Sequence, residues 1–488
     1  MGRTVEPEFV GRTYDDFLFR PQASPLASRR EVSLRTPLTR RLSLDLPVVS
    51  ANMDSVTDAR MAVAMALEGG LGFIHRGLPI AGQAAEVARV KRTQGHVIDR
   101  PFCLARGSSV REARELARRH NVTGLLIEEA PGSGVLAGLL SNRDMPWSEA
   151  QDDRPVEEFM TPFARLVTGE PGTSVEDAER RMFAHRVEKL PLVDGDRRIR
   201  GLITKKDIFA ARQRPYSTKD ARGRLLVGAA IGARGDFIER AGELLGAGAD
   251  ALLIDIAHAH SEVMRRAVEE VRARFGGVEL VCGNVATGEG AAFLRDLGAD
   301  AIKVGVGPGR GCRTRLETGA GVPQLQAIRE AWCAVEDAVP IIADGGVRDD
   351  KDVFLALVAG ASVVMLGSML SGTDEAPGQL IEDPGTGEKR KIYRGMTSPQ
   401  AVFRALYDDE EPDAVEAALE VPAEGQEIQV PYRGSVVDIL RRIRGHVRSA
   451  VSYGGAESLA QVRAKVLPDP LRYLVPLSSA ARAESYER

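Results

Sequence analysis

The sequence is poor in cysteine, and its few thiols show none of the spacings that bind zinc. Its 488 residues include four cysteines with no CxxC or Cys/His pattern, and a chain of this length does not depend on a disulfide framework. We therefore expect free thiols in a reducing compartment, the cytoplasm. The cysteines are Cys103, Cys282, Cys312 and Cys333.

The chain also lacks a dominant charge, a long apolar run and an export signal. Its formal net charge is −4, which gives no basic surface for nucleic acid or an anionic membrane. No window approaches the ~20 apolar residues needed to cross a bilayer, and no apolar h-region begins the chain. These absences favour chemistry on small molecules.

Aromatic residues make up only 5% of the chain, but 43% of it is hydrophobic, which is enough for a large core. Short apolar runs that end in small or polar residues alternate with segments of helical spacing. This pattern predicts an α/β fold, a (β/α)8 TIM barrel, in preference to a doubly wound sheet, which does not need eight strands with polar tips. The predicted strands span 46–52, 71–75, 225–232, 251–257, 279–285, 301–307, 340–346 and 362–368.

Between the second and third runs lies a segment too long for a βα connection, and it contains an imperfect repeat. VLAGLLSNRDM (135–145) matches RIRGLITKKDI (198–208), and the offset between Gly138 and Gly201 is 201 − 138 = 63 residues. We therefore predict a discontinuous barrel over 1–91 and 214–488, with a two-copy insertion over 92–213. Its copies span about 92–152 and 153–213.

The segment GVGPGRGCRTRLETGAGVPQ (305–324) surrounds Cys312 with glycines and arginines. Glycine lets a planar substrate approach, and positive charge from Arg310, Arg313 and Arg315 favours the thiolate. A lone cysteine is usually a small buried hydrophobe, which is our interpretation of the other three. Because Cys312 follows a predicted barrel strand, where barrels carry their active sites, we predict that it is a nucleophile.

The insertion resembles a tandem pair of CBS domains, whose G-[LI]-[LI]-[ST]-x-x-D ending is present twice. The resemblance implies that adenine nucleotides bind there through Ser141, Asp144, Thr204 and Asp207. The open alternative is a degenerate module that only helps to assemble an oligomer.

The whole chain resembles the IMP dehydrogenase/GMP reductase family. Beyond the cysteine loop, the family motifs occur in the family's order, and the insertion lies where the family carries its CBS pair. The matching segments are YDDFL (14–18), SANMDSVT (50–57), GGLGFIH (69–75), DIAHAHS (255–261), GNVAT (283–287), IADGGVR (342–348), VMLGSML (364–370), YRGM (393–396) and EGQEIQVPYRG (424–434).

This resemblance implies a role for each matching residue. Cys312 would attack C2 of the purine and form the covalent E-XMP intermediate, while Thr314 and Glu424 would act on the water or ammonia at C2. A nicotinamide cofactor would bind at Asp255, Ala257, Gly305 and Gly307. The expected substrate contacts are Ser50, Asn52, Met53, Asn284, Gly309, Arg310, Asp344, Gly346, Gly367, Ser368, Tyr393, Gly395 and Met396.

The family contains two activities, which differ in how the intermediate is made and resolved. The dehydrogenase hydrolyses it with an Arg-Tyr pair on a mobile flap, whereas the reductase releases ammonia from GMP and uses NADPH. Here Arg404 and Tyr407 are not adjacent, and acids, Glu410 and Glu411, stand where the pair is expected. Acids do not replace a guanidinium, so we predict a GMP reductase, a reading that the ANMD sequence at 51–54 also favours.

Two alternatives remain open, namely IMP dehydrogenase with NAD and a non-catalytic sensor of purine nucleotides. The family further implies a homotetramer, joined into an octamer when nucleotides bind the CBS pair. The closing AESYER is similar to a tail that completes a K⁺ site between subunits, with Gly307, Gly309, Cys312 and Glu484 as the candidates.

Overall fold

The computed structural model describes residues 3–93, 97–98, 101–120, 122–396, 398 and 424–486. The chain divides into two compact units. The first contains residues 1–91, 216–218 and 225–488, and the second contains residues 92–215 and 219–224. In the described part of the chain, no helix is long and apolar enough to cross a membrane.

The first unit is built on a closed barrel of eight strands. Every strand pairs in parallel with the next, and β8 closes the barrel by pairing Leu366 with Ser50 of β1. This confirms the predicted TIM barrel. The strands are β1 Val48–Ser50, β2 Leu71–Ile74, β3 Gly228–Ile231, β4 Ala251–Asp255, β5 Glu279–Val285, β6 Ala301–Val304, β7 Ile341–Asp344 and β8 Val363–Leu366.

Helices cover the barrel, and local sequence signals set several of their starts. The side chain of Thr287, for example, accepts a hydrogen bond from Gly290 N at 3.1 Å and caps the following helix, which satisfies an amide left free at a helix start. The principal helices of this unit are Ala59–Leu67, Ile80–Arg92, Phe237–Gly246, Glu262–Arg274, Gly288–Asp296, Gln324–Val335, Asp350–Ala359 and Val436–Tyr453.

Shorter elements complete the first unit around the barrel. Phe17–Phe19 pairs with Leu474–Pro476, and Thr36–Pro37 pairs with Ser43–Leu44. A three-stranded antiparallel sheet contains Ile381–Glu382, Lys389–Arg394 and Glu427–Pro431. The remaining short α-helices are Thr314–Thr318, Leu459–Val466 and Ser479–Tyr486.

The second unit contains the same arrangement twice, a helix followed by an antiparallel hairpin. Its first copy has helix Val110–His120 and strands Gly124–Glu128 and Leu136–Ser141, which pair with each other. Its second copy has helix Val175–His185 and strands Lys189–Val193 and Ile199–Thr204. The remaining elements are strands Cys103–Ala105 and Thr161–Pro162 and helix Lys205–Gln213. Each copy has its own cluster of buried apolar side chains.

Candidate active site

A cavity of about 710 Å³ lies in the first unit, and the ends of its barrel strands contribute to the lining. It collects nearly all of the residues that the sequence singled out for substrate and cofactor. From that prediction the lining includes Asn52, Met53, Asp255, Ala257, Asn284, Gly305, Gly307, Gly309, Arg310, Cys312, Thr314, Asp344, Gly346, Gly367, Ser368, Tyr393, Gly395, Met396 and Glu424.

Three side chains form a continuous path at the cysteine. Cys312 Sγ lies 3.2 Å from Thr314 Oγ1, and the Thr314 hydroxyl donates a 2.7 Å hydrogen bond to Glu424 Oε2. A thiol, a hydroxyl and a carboxylate in line are able to pass a proton between a group bound at sulfur and the acid. The path is therefore suited to covalent catalysis assisted by proton transfer.

Main-chain pairing holds Glu424 beside the cysteine loop, although the two are distant in sequence. Arg313 N donates to the Glu424 carbonyl at 2.7 Å, and Gln426 N donates to the Gly311 carbonyl at 3.0 Å. Cys312 and Gly425 form a β-bridge between these bonds. Backbone pairing thus places the main chain of Glu424 beside the loop, and the Thr314 hydroxyl contacts its carboxylate.

The arginines of the loop do not all serve the thiol as we predicted. Arg313 forms a salt bridge with Glu317 at 2.6 Å, so its charge is neutralised locally. Arg315 donates to the carbonyls of Val306 and Val322. Burial lowers its pKa and an electrostatic interaction with Cys312 opposes this shift, so Arg315 retains the predicted link to the thiol. These contacts brace the loop, and Arg310 lines the cavity.

At two positions of the cavity, neighbouring protein atoms lie too close to the backbone for any residue with a side chain. A side chain at Gly305, whose φ is +149°, would overlap the main-chain oxygen of Asp344. A Cβ at Gly367 would lie 2.8 Å from the Tyr393 hydroxyl oxygen. Both positions let backbone come close to a ligand, as phosphate and nucleotide sites require.

The floor of the cavity is a network of charged and amide side chains. The Lys303 ammonium contacts Asp255 Oδ1 at 2.9 Å and Asp344 Oδ2 at 2.6 Å. Asn52 Nδ2 donates to Asp255 at 2.8 Å, and Asn284 Nδ2 donates to Asp344 at 2.9 Å. Burial pushes the pKa of Asp255 up, but Lys303 and Asn52 outweigh it and leave this pKa below its ordinary value.

The cavity offers groups that fit a nucleotide and a nicotinamide cofactor. Asn284 Oδ1 is buried and has no hydrogen-bond partner, which leaves an acceptor for a ligand hydroxyl. Burial raises the pKa of Tyr393 far above its ordinary value, so its hydroxyl stays protonated and able to donate. The carboxylate oxygens of Asp255 and Asp344 are acceptors suited to ribose hydroxyls.

Sequence reasoning missed several residues of this cavity. Lys303 was read as part of a hydrophobic strand, although a lysine between Ile302 and Val304 was itself a signal of an internal charge partner. Arg76, which follows β2, was also missed. Other lining residues outside the prediction include Thr13, Arg348 and Arg433.

Some predicted residues lie elsewhere. Ser50 does not line the cavity, because it is fully buried and its hydroxyl accepts a 2.8 Å hydrogen bond from Thr57. Glu484 is in the terminal helix and is not part of the lining either, so the K⁺ site stays a prediction. Arg404, Tyr407, Glu410 and Glu411 lie outside the described residues.

The nucleotide-site candidates of the second unit make two matching local contacts. Ser141 Oγ donates to Asp144 at 2.6 Å, and Thr204 Oγ1 donates to Asp207 at 2.5 Å. The amides of Ser141 and Thr204 donate to the same carboxylates. Equivalent residues of the sequence repeat therefore have equivalent structures.

Fold and site together define a barrel enzyme with a cysteine loop beside a polar, nucleotide-sized cavity. The sequence profile of the IMP dehydrogenase / GMP reductase domain matches residues 11–486. Inosine-5'-monophosphate dehydrogenase of Nitrosopumilus maritimus (strain SCM1) is 44% identical over 93% of this chain and 94% of its own. The enzyme of the same name from Streptococcus pyogenes is 43% identical over 98% of this chain and 94% of its own.

The chain is also similar to solved structures of an enzyme that has the other activity of the family. GMP reductase of Trypanosoma brucei, a variant in complex with guanosine 5'-monophosphate, has a TM-score of 0.82 and 38% identity over 98% of this chain and 97% of its own. The same enzyme in complex with guanosine 5'-triphosphate has a TM-score of 0.72 and 35% identity over 96% of this chain and 98% of its own. The chain belongs to the IMP dehydrogenase/GMP reductase family of oxidoreductases.

Proposed function

We propose that the chain is a GMP reductase, which converts GMP and NADPH to IMP, ammonia and NADP⁺. The observation that carries the proposal is the path from Cys312 through Thr314 to Glu424, combined with a sequence over 397–423 that has no adjacent Arg-Tyr pair. The path supplies covalent catalysis and proton transfer. The missing pair removes the group on which hydrolysis of the intermediate depends in the dehydrogenases.

The chain's residues divide the reaction into two stages. In the first, the Cys312 thiolate adds to C2 of GMP, and Thr314 and Glu424 deliver a proton to the departing amine, which leaves as ammonia. This stage leaves the purine joined to sulfur as E-XMP. NADPH, when bound, supplies the hydride for C2, after which the thiolate leaves and IMP is released.

Both ligands have a proposed place in the cavity. Asp344 and Asn284 accept the ribose of GMP, while the loops of Gly346, Gly367 and Ser368 receive its phosphate. Tyr393 joins these residues at the ribose and phosphate, and Met53 and Met396 are further substrate contacts. The cofactor ribose lies at Asp255, beside Ala257, Gly305 and Gly307, and all of these residues line the one cavity.

IMP dehydrogenase is the second candidate, and the relatives of that name at 43% and 44% identity favour it. These identities are counted over 455 and 477 residues, and most of those positions lie outside the segment 397–423. The segment that separates the two activities is short, so it contributes little to those identities. For this reason we give the segment 397–423 more weight than the overall sequence identity.

Two assays on one preparation test the proposal. Nicotinamide absorbance is followed with GMP plus NADPH and, separately, with IMP plus NAD, and ammonia is measured in the first. We expect NADPH consumption matched by ammonia release. NADH production from IMP would overturn the proposal in favour of the dehydrogenase. Binding of GMP without turnover of either cofactor would instead support a sensor.

We further propose that the second unit is a CBS pair that binds purine nucleotides and regulates the barrel in a homotetramer or octamer. In both copies a hydroxyl donates to the carboxylate three residues later, and this repeated contact supports the assignment. A nucleotide ribose would compete for those carboxylates. Titration with ATP and GTP, followed by calorimetry and by light scattering, tests binding and assembly together.

A further inference from the structure

Lys303 is a buried lysine in the wall of the barrel. It belongs to β6, between Ile302 and Val304, and is only 3% exposed. Burying an ammonium is unfavourable unless it is paired and hydrogen-bonded. The position therefore needs partners that compensate its charge.

Its partners come from two other strands and are the two carboxylates assigned to the two riboses. Asp255 ends β4 and Asp344 ends β7, and the same ammonium contacts both at 2.9 and 2.6 Å. Two anions that approach the same lysine would repel each other without it. One cation thus serves both carboxylates.

The barrel makes room for this lysine at one neighbouring position. Gly283 of β5 is paired with Lys303, and a Cβ at Gly283 would lie 2.5 Å from Lys303 Cβ. Any larger residue there would displace the lysine stem. The glycine in β5 and the lysine in β6 therefore form a complementary pair.

The ammonium of Lys303 stays charged at neutral pH. Burial lowers the pKa of Lys303, but Asp255 and Asp344 more than offset this and raise it above its ordinary value. Arg76 also acts on Asp255, and Tyr14 and Tyr393 are the titratable groups near Asp344. Burial raises the pKa values of these tyrosines, so they stay neutral and add no negative charge beside Asp344.

We propose that Lys303 is a positioning residue that serves substrate and cofactor at once, because it holds Asp344 for the nucleotide ribose and Asp255 for the dinucleotide ribose. The proposal rests on the ligand sites of the proposed function and applies to either activity of the family. Lys303 acts through the two carboxylates.

The test measures the two affinities separately in full-length protein. Calorimetry with GMP and with NADP⁺ is carried out in a Cys312→Ala background, where no covalent intermediate forms. We expect Lys303→Met to weaken both affinities by about tenfold or more, because both acceptors lose a charged hydrogen-bond partner. Lys303→Arg retains the charge and is expected to recover part of both losses.

A matched control separates this role from the general loss of a buried lysine. Lys91 is also buried and pairs with Asp250 at 2.6 Å, but neither residue lines the cavity. We expect Lys91→Met to lower the melting temperature and to leave both affinities unchanged. If Lys303→Met does not fold, Lys303→Arg carries the test, with parallel partial losses of both affinities as the expected result.

Affinities measured over a range of pH distinguish a positioning role from a purely structural one. Without the ammonium, Asp255 loses the main partner that holds its pKa down, so burial is expected to raise this pKa. A ligand hydroxyl needs the ionised acceptor, so the NADP⁺ affinity of Lys303→Met should rise with pH, whereas the NADP⁺ affinity of the parent should not change.

Unchanged affinities in Lys303→Met, loss of only one of them, or a flat pH profile would overturn the proposal. If the parent protein binds neither GMP nor NADP⁺, it is the proposed function that fails. The two failures are therefore distinguishable.

Discussion

At the scale of single residues, the hydroxyl of Thr314 is the middle of the catalytic path. It contacts both the thiol and the carboxylate, and it is the one group that joins them. Replacing it interrupts proton transfer without removing either the nucleophile or the acid.

We expect Thr314→Val to lower kcat with GMP by about 10²- to 10⁴-fold, the usual contribution of a positioned proton-transfer group. The KM for GMP should change little, because the ribose and phosphate contacts lie elsewhere. Steady-state kinetics with NADPH measures both. Thr318→Val, in the same short helix but exposed, is the control, and an equal loss in both variants would contradict the assignment.

The four thiols should differ strongly in alkylation. Burial and Glu128 raise the pKa of Cys103 to about 12, and burial raises the pKa of Cys282 to about 12. At pH 8 a thiol with that pKa is about a thousandfold less ionised than an ordinary one, and its labelling rises with pH until about 12. Cys312, which lines the cavity, should therefore react first with iodoacetamide.

Peptide mapping by mass spectrometry checks this order. GMP should slow the labelling of Cys312, and a Cys312→Ala variant should leave the other three cysteines slow. Rapid labelling of Cys103 at pH 8 would be inconsistent with its raised pKa.

At the scale of elements, the sequence predicts the barrel strands well because each is a short apolar run with a turn signal at its end. The predicted boundaries of these strands are less accurate. The third strand begins at Gly228, not at the predicted residue 225, since apolar residues 225–227 are buried before the strand pairing starts. Burial and hydrogen-bond pairing are separate properties, and hydrophobicity reports only the first.

The strand-to-loop junction at Gly305 should tolerate no side chain. We expect Gly305→Ala to abolish detectable GMP binding and to lower the melting temperature, because the methyl group overlaps Asp344 and the φ of +149° is unfavourable for alanine. Calorimetry and thermal unfolding measure these effects.

Gly445→Ala is the matched control in the helix Val436–Tyr453. A Cβ there meets nothing within 4 Å, so this substitution should stabilise the helix by about 0.5–1 kcal/mol. Normal GMP binding by Gly305→Ala would show that the cavity does not need the close approach.

At the scale of the whole molecule, the candidate site was predictable in its outline and not in its interior. Polar residues at strand ends, such as Asp255 and Asn284, are recognisable because a barrel gathers those ends together. The link through Lys303 depends on which strands are neighbours in the closed barrel, because β6 pairs with β7 and only β5 separates it from β4. Ser50 ends a barrel strand and yet is fully buried, which the polar character of its side chain does not indicate.

The barrel should work without the second unit. Replacing residues 93–214 with a short Gly/Ser linker removes most of that unit and keeps the barrel strands and the cavity, all of which belong to the first unit. We expect basal GMP turnover within about threefold of the parent, a change of less than 1 kcal/mol in activation free energy. Any effect of ATP or GTP should be lost.

Assays of both proteins with and without ATP and GTP measure this outcome. A nucleotide effect that persists in the shortened protein would place the regulatory site in the barrel.

The strands β2 and β3 pair directly, Phe73 with Gly228, although roughly 150 residues separate them along the chain. If that segment were a flexible loop, its closure would cost about 1.4 kcal/mol more than closure of a loop of about 30 residues. The difference is small because the entropic cost of loop closure grows only with the logarithm of loop length. The intervening residues instead contain their own apolar clusters. During synthesis these residues can fold before the third strand emerges from the ribosome. The barrel would then close after the intervening segment has become compact.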